Sequence, residues 1–505
     1  MPAGLLFLFL AAPVWAQEVR LTAPGLVVEG QALGFDGTYL RVETAEGDVT
    51  LDLSALDCEG AGCPDVGAFV PELRLAGEAG LGAALMPALV EGYAAARGWT
   101  AGRDGDAWTL REGEAVALRV ALALSSSAAG VAALAAGEAD LALMGRAPTA
   151  EETAALEAAG LGGPDAWRLR PLGREALVAA TGPGQRVGRV TIQDLGRVFS
   201  GEASSWADLG GEDVPVRAHL GPEGSAAADA FVALVLGETG RTLSPEVVRH
   251  ASEAEAAEAV ALDPRAIGVL PFERLSGAQP LALRGLCGLP WVPREGAVRA
   301  GDFPLAAPVG LLQPMRRLAP AAQGFVDWLA TPEAQLVLRR AGLVGTEAVP
   351  MPWAEQGERL AAAIRAAGPE VPLRELQRLV RVLGGFTRLS TTFRFEEGTR
   401  LDPFSRGLLL RLAHEVAAGR FSGRTLVLAG FSDGRGAAGE NRRLSLARAE
   451  AVEGALREAL GGAWPGNVGL RVHAFGEALP MGCDEAREGP WGAEVNRRVE
   501  LWVSD

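Results

Sequence analysis

The spacing of apolar and polar residues changes character several times along the chain. From Gln17 to about Asp65 the period is two. Leu40 and Val42, then Val49, Leu51 and Leu53, alternate on either side of Ala45-Glu46-Gly47-Asp48, with an earlier turn at Asp36-Gly37. A small β module over 17–65 is expected. From about Pro71, strands alternate with helical runs, the texture of an α/β domain. Leu73 to Gly77 leads into a helix through Leu81, Leu85, Leu89 and Tyr93. Val120 to Leu124 ends at Ser125-Ser126-Ser127 before a second helical run, and Ala139 to Leu143 leads to Gly145-Arg146. Loops of this kind, each opening a helix at a strand end, can present N–H groups to an anion, although many α/β domains have them. Two amphipathic helices, Glu355 to Ala366 and Leu373 to Leu383, form a connector over 347–385, split by Gly368-Pro369 and Pro372. The connector lacks Ser/Gly runs and should pack against its neighbours.

The last section, 386–505, holds the richest chemistry. Thr391 to Phe395 and Thr425 to Ala429 read as strands. A helix is expected from near Asn441, with Asn441 as its cap and Leu444, Val452, Leu456 and Leu460 on its buried face. Arg448 falls on that apolar face, where an arginine needs a partner, and Asp433 is the nearest acid in sequence. Two readings stay open from the residues alone: a structural ion pair, or a site for a zwitterion. In the second, Asp433 takes an ammonium and Arg448 grips a carboxylate. The segment resembles the OmpA-like peptidoglycan-binding domain. Its pattern is met by Gly430, Asp433, Gly436, Asn441, Leu444, Ser445, Arg448, Ala449 and Asn496 to Val499, with Phe431 and Ser432 as departures. That resemblance implies an α+β fold. It also implies that Asp433 and Arg448 hold the free end of diaminopimelate, with Ser432, Asn441 and Arg497 around them.

Composition narrows the field. The 505 residues leave room for about three domains. The formal charge is −16, and every one of the 47 basic residues is arginine. So acidic a chain is a poor partner for nucleic acid or an anionic membrane surface. Residues 1–16 read as a secretory signal, and no later apolar run reads as a membrane span, so an exported protein without stable membrane insertion is expected. Four cysteines fit an oxidising compartment. Cys58 and Cys63 bracket a flexible loop and are expected to pair; Cys287 and Cys483 either pair or stay free thiols. The histidines match no metal spacing, and neither metal nor cofactor is expected.

The middle section resembles the PstS-like family of phosphate-type periplasmic substrate-binding proteins. Stretches such as LRLAGEAGLGAALMPALVEGYAAARG, VTIQDLGRVFSGEASSWADLGG, GPEGSAAADAF and AIGVLPFERL carry the likeness, in matching order. It implies a bilobal periplasmic-binding-protein (type II) domain over 66–346, its second lobe near 180–264. The crossing strands would be Glu175 to Ala179 and Ala266 to Leu270. By the same likeness Ser126, Ser127, Arg146, Gly224 and Ser225 stand at oxyanion-ligand positions. Glu78 replaces a usual hydroxyl and Gly145 a usual serine. Facing inward, Glu78 would cap its own helix and pair with Arg146; facing outward, it would only favour the helix dipole.

The chain thus reads as multidomain: β module, bilobal α/β domain, connector and OmpA-like domain. The expected function is a periplasmic, non-enzymatic protein tethered to peptidoglycan, with a solute-binding-type domain for local capture, sensing or scaffolding. The alternative is a phosphate receptor of an ABC importer with an added cell-wall anchor. A peptidoglycan enzyme has little support, since no paired carboxylates, Ser/His arrangement or metal cluster stands in a recognisable context.

Overall fold

The computed structural model describes residues 17–163, 166–223, 225–237, 240–285, 289–365, 367–482, 492 and 494–504. The expected signal sequence, Gly224, Cys287 and Cys483 therefore lie outside the described residues. The chain forms two compact units. One comprises Met1–Arg74, Tyr93–Leu122 and Arg316–Trp328; the other comprises Leu75–Gly92, Ala123–Met315 and Leu329–Asp505.

In the first unit, five antiparallel strands follow the order 47–52, 39–44, 26–35, 17–23, 57–59. Alternation puts Val19, Leu21, Leu40 and Val42 on one buried face. The turn after Phe35 closes because the Asp36 carboxylate accepts the N–H groups of Thr38 and Tyr39, at 2.9 and 2.7 Å. Cys58 and Cys63 form the expected disulfide. Strands Thr100–Asp104, Ala107–Glu112 and Ala115–Ser125 make an antiparallel meander. Helix Ala79–Arg97 is long and apolar enough to cross a membrane by composition. It buries Leu81, Leu85, Leu89 and Tyr93 in the spacing the sequence predicts.

The second unit is organised by one long strand, Trp167–Thr181. Its first part, Trp167 to Ala176, pairs antiparallel with Ala306–Pro314; from Leu177 to Thr181 it pairs with Ala266–Pro271. Strand order around it is 248–249, 217–220, 266–271, 167–181, 306–314, 141–144, 72–78. The change of partner falls between Ala176 and Leu177, inside the expected crossing segment.

The connector helices are Trp353–Arg365 and Leu373–Leu383. Leu376, Leu379 and Leu383 pack with Val427, Phe431, Phe475 and Trp502, so the connector is part of a core. The C-terminal section is α+β, with strand order 350–351, 386–394, 498–504, 425–431, 469–474. Helix Pro403–Ala417 lies on the long strand. Gly407 makes this possible, because a Cβ there would strike the Leu169 carbonyl oxygen and the Pro171 ring. One apolar core accordingly runs through Trp167, Leu169 and Leu312 to Phe404, Leu408, Leu412, Leu428 and Val452.

A buried charge network crosses the same region. On strand Arg498–Ser504, Val499, Leu501 and Val503 face that core while Arg498, Glu500 and Trp502 face the other way. Glu500 receives Arg359 Nη2 at 2.6 Å, Arg498 Nε at 2.8 Å and Arg388 Nε at 3.4 Å. Asp302 receives Arg388 Nη1 at 2.7 Å and Arg394 Nη2 at 3.0 Å. Burial alone would push both carboxyls up, but the guanidinium groups win and hold them below the usual range.

Glu500→Gln should therefore lower stability by about 3–5 kcal/mol, the cost of stripping one partner from a buried ion cluster. Carboxyls with depressed values give stability that is fully present above their ordinary 3.8 and 4.5 and is lost as pH falls below them. Chemical denaturation followed across acidic pH should show that loss in the wild type and a shallower one in the variant.

Candidate functional site

The expected diaminopimelate site gathers at one end of strand Thr425–Phe431. Gly430 is required there, because a Cβ would run into the Ser445 carbonyl of helix Ala438–Ala459. This contact lays the helix on the strand and sets Arg448 beneath the following loop. Arg448 is 2% exposed. Its Nε donates to the Gly398 carbonyl at 2.8 Å, its Nη1 to the Phe431 carbonyl at 3.5 Å, and its guanidinium lies 5.3 Å from the Phe395 ring centre. Burial is the main force pulling the Arg448 value down to about 10; Asp433 opposes it and Arg497 adds to it.

Asp433 makes its ion pair with Arg497, Oδ2 to Nε at 3.8 Å, and its Oδ1 accepts the Arg435 N–H at 3.4 Å. Asp433 thus pairs directly with Arg497 and acts on Arg448 only through its charge. Asn441 departs from expectation. The helix begins at Ala438 after Ala437, and its first N–H is met at 3.2 Å by the Glu370 carboxylate from the connector. Asn441 is instead buried inside the helix and donates Nδ2 to Glu477 Oε2 at 2.5 Å. Ser432 is buried; its N–H donates to the Gly476 carbonyl at 2.9 Å, and its hydroxyl meets no protein partner among the described residues. The sequence reading missed Glu477. Burial first, then Glu370 and Asp433, push its carboxyl up against the pull of Asn441.

The Asn496-Arg497-Arg498-Val499 motif divides its labour. Asn496 staples the preceding loop, accepting the Met481 N–H at 2.6 Å and donating to the Gly482 and Gly492 carbonyls at 2.9 Å. Arg497 reaches Asp433, Arg498 joins Glu500, and Val499 enters the core.

The second candidate set surrounds the long strand. Glu78 Oε2 accepts the Leu81 N–H at 2.8 Å, so the carboxylate caps its own helix. Ser126 caps helix Ser127–Ala135, and the Ser127 hydroxyl accepts the Gly145 N–H at 3.1 Å. A Cβ on Gly145 would lie 3.1 Å from Leu81 and 3.7 Å from Glu78, which explains why a small residue stands there. The expected Arg146–Glu78 pair is not formed. Arg146 clasps Glu152 through two bonds of 2.8 and 2.6 Å, and Glu152 also closes the capping box with Thr149. The carboxylate six residues along the chain holds Arg146, although Glu78 ends the adjacent strand. Ser225 caps helix Ala226–Phe231 and donates its hydroxyl to Glu253 Oε1 at 2.7 Å. Glu253 Oε2 is buried without a hydrogen bond among the described residues.

Glu175, at the point where the long strand changes partner, was not anticipated as a site residue. Burial pushes its carboxyl up to about 7, helped by the negative charges of Glu78 and Glu253 and opposed by Arg274. Its one sequence signal was an acid inside an otherwise apolar crossing segment. Among the described residues, no group of three or more His, Cys, Asp or Glu is placed to hold a metal ion.

Residues 107–333 match the family model described as a PBP superfamily domain, and this section of the chain is PBP-like. No curated protein matches the chain. Among solved structures, a possible phosphate binding protein from Planctomyces limnophilus is 15% identical. It has a TM-score of 0.44 and covers 58% of this chain and 99% of its own. An ABC-type phosphate transport receptor from Vibrio cholerae is 17% identical with a TM-score of 0.41, covering 54% and 98%. The periplasmic domain of Helicobacter pylori MotB is 18% identical with a TM-score of 0.19, covering 24% and 75%.

A carboxyl raised on folding favours the native state below its ordinary 4.5 and loses that advantage as pH rises through about 7. Glu175→Gln should accordingly raise the melting temperature above about pH 7 and flatten its decline between those values. Thermal unfolding across that range checks both.

Proposed function

We propose that this chain is an exported, non-enzymatic protein of the cell envelope, held at peptidoglycan by an OmpA-like C-terminal section and carrying a PBP-like domain for local solute capture, sensing or scaffolding. The observation that carries the reading is Arg448: a nearly fully buried guanidinium that donates to carbonyl oxygens, with Asp433, itself paired to Arg497, as its nearby acid. Arg448 could receive a carboxylate, and Asp433 with Glu477 the neighbouring ammonium. The zwitterionic end of diaminopimelate has both groups on one carbon, which matches this juxtaposition. The PBP-like match of residues 107–333 supports a binding role for that section.

Phosphate import is the second reading, and the PBP-like match favours it. The polar groups around the long strand argue the other way. Arg146 is occupied by Glu152, the Ser225 hydroxyl donates to Glu253, and Glu78 and Glu253 lie close enough to Glu175 to help burial raise its carboxyl, a cluster that repels a dianion. We therefore assign the domain a role other than high-affinity phosphate capture.

Two experiments test this. In sacculus pull-down, Asp433→Ala and Arg448→Ala should each lose retention, since removing one member of a desolvated charge pair costs about 2–5 kcal/mol. Wild-type retention by both folded variants would sink the tether. In calorimetry at neutral pH, phosphate should bind far more weakly than to a dedicated receptor, and Glu78→Ser should strengthen it. Submicromolar phosphate binding by the wild type would restore the transport-receptor reading.

A further inference from the structure

A cavity of about 150 Å³ lies away from both sites described above. It opens between the segment Pro290–Asp302, the first connector helix and strand Phe386–Arg394, and its lining includes Arg359, Arg388 and Asp302. Behind that lining stands the buried network. Among the described residues, four guanidinium groups, Arg359, Arg388, Arg394 and Arg498, meet two carboxylates, Asp302 and Glu500. Arg388 and Arg498 are wholly enclosed, while the Arg359 and Arg394 side chains are 13% and 14% exposed. The neighbouring Arg174 and Asp402 cancel, so the described groups carry an excess of two positive charges.

Such an excess is expensive in a low-dielectric interior unless something negative meets it. Both carboxylates are already shared. Arg359 donates Nη2 to Glu500 and Nη1 to Gln356, and its Nε is buried without a hydrogen bond among the described residues. Arg388 Nε makes no hydrogen bond among the described residues and meets Glu500 as an ion pair at 3.4 Å. Arg359 also lines the cavity, so unsatisfied donors and unbalanced charge coincide with an opening. The exposed Arg294 stands on its wall. Glu355 and Glu358 lie there too, but both are exposed to water, and Glu358 already reaches Arg189 at 3.4 Å.

We propose that this cavity is a binding site for a small oxyanion, carboxylate or phosphate in class, held by Arg359 with Arg388 beneath it and Arg294 steering entry. Guanidinium forks suit planar carboxylates and phosphate oxygens alike, so the shared chemistry is a compact anion with two or more oxygens. The cavity volume excludes anything much larger than a short dicarboxylate.

The test uses the full mature chain and two probes, malonate and inorganic phosphate, with ionic strength balanced by chloride. Calorimetry should give a saturable heat with at least one probe, and that probe should raise the melting temperature. Ala354→Trp fills the cavity from an exposed helix position and should abolish the heat while leaving the melting temperature without probe unchanged. Arg294→Gln should weaken binding roughly five-fold, as expected for one exposed charge. Arg359→Gln should also abolish the heat; if it fails to fold, the Ala354 and Arg294 variants carry the test. Absence of saturable binding by either probe, or equal binding by wild type and Ala354→Trp, overturns the proposal. A preference for malonate or for phosphate identifies which oxyanion the site takes.

Discussion

Charge cannot be buried without a counter-charge, and that rule ties the larger unit of this protein together. Glu500 sits on the strand central to the C-terminal sheet and is met by arginines from that strand, from its neighbour and from the connector helix. Asp302, from the PBP-like section, is met by two arginines of the C-terminal section. The ion pairs therefore cross from one section to the other in both sequence and space. Together with the apolar core that joins Trp167 and Leu169 to Phe404 and Leu408, they make the C-terminal section a packed partner of the PBP-like section. On the proposed function, a grip on the wall would hold the solute-binding section in a fixed attitude instead of on a slack leash.

Much of this was legible in the sequence because it rests on local rules. Period-two alternation placed the small sheet, helical spacing placed Ala79–Arg97, and Pro372 with the leucines after it placed the second connector helix. What escaped was non-local. Asn441 read as a cap because asparagine favours that position, yet Glu370, from the connector, meets the helix N-terminus and frees Asn441 for Glu477. The Arg498–Glu500–Trp502 face was visible as an alternation, but nothing in it pointed to Asp302, almost two hundred residues earlier. Arg146 was matched to a distant acid when Glu152, one turn into the next helix, was nearer.

Around the crossing strand, the polar groups at helix starts are spent on local partners. Helix N-termini are present, but Ser126, Ser225 and Glu78 satisfy their own helices, and Glu253 accepts a hydrogen bond from the Ser225 hydroxyl. Glu175 then stands at the crossing with a carboxyl raised by burial and by its two acidic neighbours.

The central claim is that Asp433 and Arg448 read both charges of one carbon at the end of a peptide stem. The most direct measurement is calorimetry with two purified stem peptides, one ending in free diaminopimelate and one with that terminal carboxylate amidated. The account predicts saturable binding of the free form and loss of most of it on amidation, because the buried guanidinium would then face a neutral group. Equal binding of the two peptides, or binding of neither, would contradict it.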